Sequence, residues 1–233
     1  MLLTIALGNE SYSINSIIDK KLNYKLEFKK IRAGEGYILI EKDSLFNKSI
    51  LILRSQIKTN NFFDLFYRIR DELTIYMDKF DYSLLRVSNK ISEGKFKKDF
   101  TSDIDLSLIK ISNPEDELPI SDKVHSPLSV IFSLREKLLN LDDKFHYTTY
   151  NMGKLKNVNI SIIGKEIINT SYGTYNTIVV SPQSIDNTSL LRNNGDMKVW
   201  FTDDFNRIPI RIEIKINYGS IVLSLEEIEE WDI

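Results

Sequence analysis

The residues able to do chemistry are few in this chain, and they lie far apart. There are two histidines, His125 and His146, and no cysteine. A zinc-binding HExxH helix needs two imidazoles one turn apart. Here one histidine falls in a proline-flanked loop and the other in a strand-like run, with no second histidine beside either. Without thiols there is no disulfide, thiolate metal site or cysteine nucleophile. Gly34-Glu35-Gly36 lacks the third glycine and following helix of a phosphate cradle, so it reads as a tight turn. The acid pairs Asp142-Asp143 and Asp203-Asp204 sit at turn signals, where aspartates bond turn backbone. Neither pair has the calcium-loop pattern. Arg207 and Arg211 flank Ile208-Pro209-Ile210. A spacing of four puts them on one face of a strand, and one of them is expected to pair with Asp203 or Asp204. A hydrolase would need Asp203, Arg207 and His146 to converge in one cleft. The residues imply no catalytic centre, metal or cofactor.

The elements around these residues are mostly strands. Leu22, Tyr24, Leu26 and Phe28 alternate with Asn23, Lys25, Glu27 and Lys29, the period of a half-buried strand. The turn at 34–36 then leads to a return strand at Tyr37–Ile40, and Ser49–Leu53 is the next. Asn61–Leu65 reads as a short helical turn before a strand to Met77. Leu84–Ser92 and Lys95–Ile109 flank a hairpin turn at Glu93-Gly94. Residues 112–126, rich in proline and acid, read as a loop.

The best helix signal is Pro127–Leu139, capped by Ser126, with Leu128, Ile131, Phe132, Arg135, Leu138 and Leu139 along one face. Strands follow at 144–151, 155–168, 174–181, 197–202, 208–217 and 220–227, with a long polar loop at 183–195. Short turns between successive strands imply an antiparallel meander.

The 233 residues are 42% hydrophobic, enough for one sizeable core, and carry a net charge of -2. No basic excess marks a nucleic-acid binder. No apolar run is long enough for a transmembrane helix. Residues 20–230 read as one domain. Residues 1–19 begin Met-Leu-Leu-Thr-Ile-Ala-Leu-Gly, without a basic n-region. They are either the remnant of a signal peptide or a flexible terminus or first strand. Most aromatics belong in the core, and the rest leave room for an apolar ligand on a curved sheet. The candidate ligand-facing or structural cluster is Tyr24, Phe28, Tyr37, Phe96, Phe100, Trp200, Asp203, Arg207 and Arg211.

Val199-Trp-Phe-Thr-Asp-Asp-Phe-Asn-Arg-Ile-Pro-Ile-Arg-Ile-Glu213, followed by Tyr218-Gly-Ser-Ile-Val-Leu-Ser-Leu225, carries a family resemblance. It resembles the closing pattern of the bacterial family called domain of unknown function 3108. Tyr24 to Gly36, Arg70-Asp71 through Asp78, Glu93-Gly94, Ser129 to Arg135, Gly164-Lys-Glu166 and Gly173 to Thr177 resemble its earlier segments, in order. The resemblance spans residues 20–228. It implies a mainly β fold: a strongly curved antiparallel sheet, or half-barrel, with one main helix packed against it. It also implies an exported, periplasmic or envelope protein and brings no catalytic residues. The expected function is non-enzymatic binding of a lipid or other apolar or amphipathic ligand. The alternative is an assembly module that contacts envelope proteins.

Overall fold

The computed structural model describes residues 17–45, 48–105, 110–112, 117–120, 122–184, 196–216 and 219–231. The N-terminal segment up to residue 16, most of the long polar loop and Tyr218 lie outside them. The strands are β1 (Lys20–Phe28), β2 (Ile31–Leu45), β3 (Lys48–Thr59), β4 (Arg70–Asp78), β5 (Leu84–Glu93), β6 (Phe96–Asp105), β7 (Lys110–Ser112) and β8 (Glu117–Pro119). Then come β9 (Lys144–Asn151), β10 (Lys154–Asn169), β11 (Thr174–Ser184), β12 (Asp196–Thr202), β13 (Pro209–Ile216) and β14 (Gly219–Glu230). Two helices interrupt them, α1 (Asn61–Asp64) and α2 (Pro127–Leu134).

The strands form one antiparallel sheet in the order β8-β7-β6-β5-β4-β3-β2-β1-β14-β13-β12-β11-β10-β9. The chain meanders outward from β1 to one edge, crosses through α2 to the other, and meanders back. The last strand then pairs with the first, Lys20 opposite Glu230. The sheet does not close into a barrel, but it curls. Ser102 on β6 and Tyr150 on edge strand β9 meet in a buried hydroxyl–hydroxyl bond of 2.7 Å. Val124-His125 stitches β5 to edge strand β9. Leu84 N–H donates to the Val124 carbonyl, and His125 exchanges backbone bonds with Thr148 and Tyr150 of β9. Unpaired edge groups are thereby satisfied. Inward-facing residues of both arms and of α2 form one apolar core.

Several sequence expectations need correction. The first turn lies at Lys29-Lys30, both with positive φ (50° and 66°), as a two-residue hairpin demands. Gly34 and Gly36 lie inside β2, opposite Thr59 and Ile57 of β3. A Cβ on Gly34 would stand 2.0 Å from the Lys58 carbonyl oxygen, so this glycine serves close strand approach rather than a turn. Ala33 is an extra residue in β2, a bulge against β1. Asn60 pins it: its N–H donates to the Ala33 carbonyl and its side-chain amide to the Arg32 carbonyl. The expected loop at 112–126 contains β7's end and β8. The helix ends at Leu134, not near Asn140, although Ser126 caps it as expected, in a capping box with Ser129. The fold starts before residue 20, since Ile17 and Ile18 are buried.

Candidate functional site

The curled sheet is packed over most of its concave face. Among the described residues, a cavity of about 350 Å³ lies between α2 and β9–β12. Val130, Ile131 and Leu134 line it from the helix, and Val158, Ile160, Val180 and Val199 from the sheet. Local patterning accounts for the wall. Val158, Ile160 and Ile162 point inward from β10, while Asn157, Asn159 and Ser161 alternate outward. Asn151, Met152, Lys154 and Lys156 lie at the β9–β10 turn end of the cavity, and Pro182 and Met197 line it from β11 and β12. The lining is thus aliphatic at depth and cationic at one end. Such a space suits an apolar chain with an anionic end.

None of the nine residues singled out from sequence lines this cavity. Tyr24 is buried, and its hydroxyl donates to the Pro209 carbonyl at 2.8 Å. Burial pushes that hydroxyl's pKa far up. Phe100 is buried, with Lys98 over its ring. Phe28 meets Phe63 edge-on, Tyr37 lies under Lys21, and Phe96 is half-buried near the β5–β6 turn. Trp200 donates from Nε1 to Glu166 at 2.9 Å, and Arg211 stacks on its ring and pairs with Glu213. Asp203 pairs with Lys165, not with an arginine. Arg207 and Arg211 do not share a strand face, because Arg207 lies in the β12–β13 turn at φ 43°. Asp204 organises that turn. Its carboxylate accepts from the Thr202 hydroxyl and from the N–H groups of Asn206 and Arg207.

Sequence reading overlooked the structural weight of Arg135. It is 2% exposed and stands at the C-cap of α2. Its Nε donates to the carbonyls of Asn206 and Arg207, at 3.1 and 2.9 Å, and Nη2 also donates to Asn206. Burial pushes the guanidinium's pKa down to about 10, so it remains charged at neutral pH. Arg135 thereby ties the helix that roofs the cavity to the β12–β13 turn. The available signal was an arginine in the middle of the apolar helix face.

Another groove, about 300 Å³, lies beside α2 and is lined by both histidines. This corrects the reading that each stands alone. His146 Nδ1 lies 2.5 Å from the Asn159 side-chain oxygen, and Tyr82 donates to Glu136 at 2.7 Å. Asp203 and Arg207 are not among the groove's lining residues. No cluster of three metal-ligating side chains occurs among the described residues.

His125 Nε2 lies 3.1 Å from the Asp81 carbonyl, and its ring packs edge-on against Tyr147. Nδ1 is buried without a hydrogen-bond partner among the described residues. Burial lowers the imidazole pKa, so the fold favours the neutral ring. Nearby Asp81 and Asp122 oppose that shift and Lys123 adds to it. The unfolded chain therefore binds more protons below the ordinary imidazole range, and stability falls as pH drops from about 6.5 toward the lowered folded value. A urea-unfolding midpoint that declines between neutral and mildly acidic pH is expected. His125→Phe should flatten that decline; an unchanged slope in the variant would refute the assignment.

The protein-family model for "Protein of unknown function (DUF3108)" matches residues 23–226. The chain belongs to the DUF3108 family. No functionally curated protein matches it in sequence. A β-barrel-like protein of the DUF1849 family from Brucella abortus has a similar fold, with TM-score 0.61 and 12% identity, covering 91% of this chain and 98% of that one. A Bacteroides fragilis protein of YmcC-like fold aligns at TM-score 0.42 and 10% identity, over 91% and 96% of the two chains. The hypothetical protein CT021 of Chlamydia trachomatis aligns at 0.39 and 10%, over 91% and 88%. In this DUF3108 chain, the segment that carries the family resemblance builds the Trp200–Arg211 stack and the Asp204 turn. Both are structural features beside the site. No helix among the described residues is long and apolar enough to cross a membrane.

Proposed function

We propose that this protein is a non-enzymatic binder of an amphipathic ligand with one apolar chain and an anionic end. The observation that carries the reading is the aliphatic cavity under α2, with Lys154 and Lys156 at one end. Its volume of about 350 Å³ lies near the small end of ligand pockets. That favours one acyl chain or a compact apolar body over a multi-chain lipid. The proposal includes an exported, envelope location, in keeping with the family resemblance and the cysteine-free sequence. Fractionation of cells producing the tagged full-length protein tests the location.

Binding is tested with a fluorescent anionic fatty-acid analogue. Met197→Trp fills the cavity and should weaken binding about tenfold, a loss of about 1.4 kcal/mol. Lys154→Glu should reduce the preference for an anionic over a neutral probe up to about fivefold, the scale of an exposed ion pair. Wild-type protein that binds no probe, or Met197→Trp that binds as well as wild type, would sink the reading.

A further inference from the structure

The connection between β3 and β4 turns its apolar residues outward. Phe62, Leu65, Phe66 and Tyr67 are 60%, 80%, 74% and 51% exposed. Phe62 contacts Phe63 and Phe66 edge-on, with ring centroids 5.6 and 5.5 Å apart, so the aromatics form one cluster. The polar residues of the same segment hold the loop in shape. Asn60 caps α1, Thr59 donates to Asp64, and Arg70 pairs with Asp64 at 2.6 Å. Exposing so much apolar surface on a well-fastened loop is costly in water, and such surface marks an interaction site.

The charges around the loop indicate the partner. Phe63 meets Phe28 and so brings the β1–β2 turn, Lys29-Lys30, alongside. The Gly94 N–H donates to the Arg68 carbonyl, which brings Lys95 of the β5–β6 turn. Arg32, Lys58 and Arg70 nearby are engaged by Glu226, Glu35 and Asp64. Lys29, Lys30 and Lys95 form no ion pair among the described residues, whereas Arg68 adds its charge beside Asp64. An aromatic tip flanked by Lys29, Lys30 and Lys95 complements a bilayer with anionic headgroups: the rings enter the interface and the cations meet phosphates.

We infer that the β3–β4 loop docks this protein on an anionic lipid membrane surface. The inference does not depend on occupancy of the cavity.

The test is co-flotation of the full chain with phosphatidylcholine vesicles, with and without about one-third phosphatidylglycerol. Wild type should float with the anionic vesicles and lose binding as salt rises. Phe62→Ser combined with Phe66→Ser should cut binding about tenfold or more, and Lys29→Glu combined with Lys30→Glu by a similar factor. Circular dichroism checks that each variant folds. Leu65→Ser, at the most exposed position, supplies the apolar test if the aromatic pair disturbs folding. A folded wild type that ignores anionic vesicles, or variants that float like wild type, would overturn the inference.

Discussion

Gly34→Ala should be among the most damaging single-methyl additions to this protein. The new Cβ would lie 2.0 Å from the Lys58 carbonyl oxygen and 2.8 Å from the Thr59 Cα. Both are backbone atoms of β3, so no side chain can swing aside. The strands must separate where β2 is already bulged at Ala33 and pinned by Asn60. Overpacking against backbone predicts a loss of about 3 kcal/mol, or a melting midpoint lower by about 10 °C. Gly164 is the internal control. It also lies in a long strand at a register shift, but a Cβ there meets nothing within 4 Å. Gly164→Ala should be neutral or stabilise by up to about 1 kcal/mol through the unfolded chain. Thermal unfolding of the two variants side by side decides the matter. Equal effects would mean that the β2–β3 approach is not what requires glycine at position 34.

Arg135→Met should be comparably destabilising, for a different reason. Methionine keeps much of the apolar stem but removes every donor. The Asn206 and Arg207 carbonyls then lose the guanidinium that joins them to α2. Leaving the buried Arg207 carbonyl without this donor and breaking the charged link predicts a loss of about 3 kcal/mol. Arg135→Lys keeps the charge but not the planar fork, so it should recover only part of the loss. Chemical denaturation gives the magnitudes. Hydrogen exchange then tests the mechanism, because α2 and the 203–208 turn should loosen together. If the turn loosened and the helix did not, Arg135 would not be the tie between them. Since α2 roofs the proposed cavity, ligand affinity should fall in the same variant.

Much of the architecture was legible in the chain because its signals are local. Alternation through Leu22, Tyr24 and Leu26 specifies a half-buried strand whatever its neighbours are. Ser126-Pro127 specifies a helix start, since cap and first-turn residues act within one turn. The Asp204 turn and the Glu93-Gly94 hairpin are similarly short-range. By contrast, Gly34-Glu35-Gly36 carries turn composition, yet its need for glycine comes from β3, more than twenty residues later in the sequence. Lys29-Lys30 has no turn signature; pairing on both sides forces the reversal there. The helix end was misread because Leu138 and Leu139 continue the apolar spacing, whereas Arg135 is held by a turn from the far end of the chain.

The proposed functional surfaces were the least legible part. The nine residues picked for their chemistry are mostly structural ties or ring contacts, and the deep wall of the cavity is lined by plain aliphatics of α2 and β10–β12. Val130, Val158, Val180 and Val199 look like any core residues in sequence. Whether such residues pack against one another or face a void depends on how far a helix stands off a curved sheet. By itself, the sequence determined a cysteine-free, antiparallel β chain with one capped helix and its family membership. Periodicity, capping and motif order act over short stretches. Only the tertiary structure decided where the sheet stays open, that both histidines share a groove, and that the aromatic loop and its cations lie together. Each of those depends on strand curvature and long-range pairing.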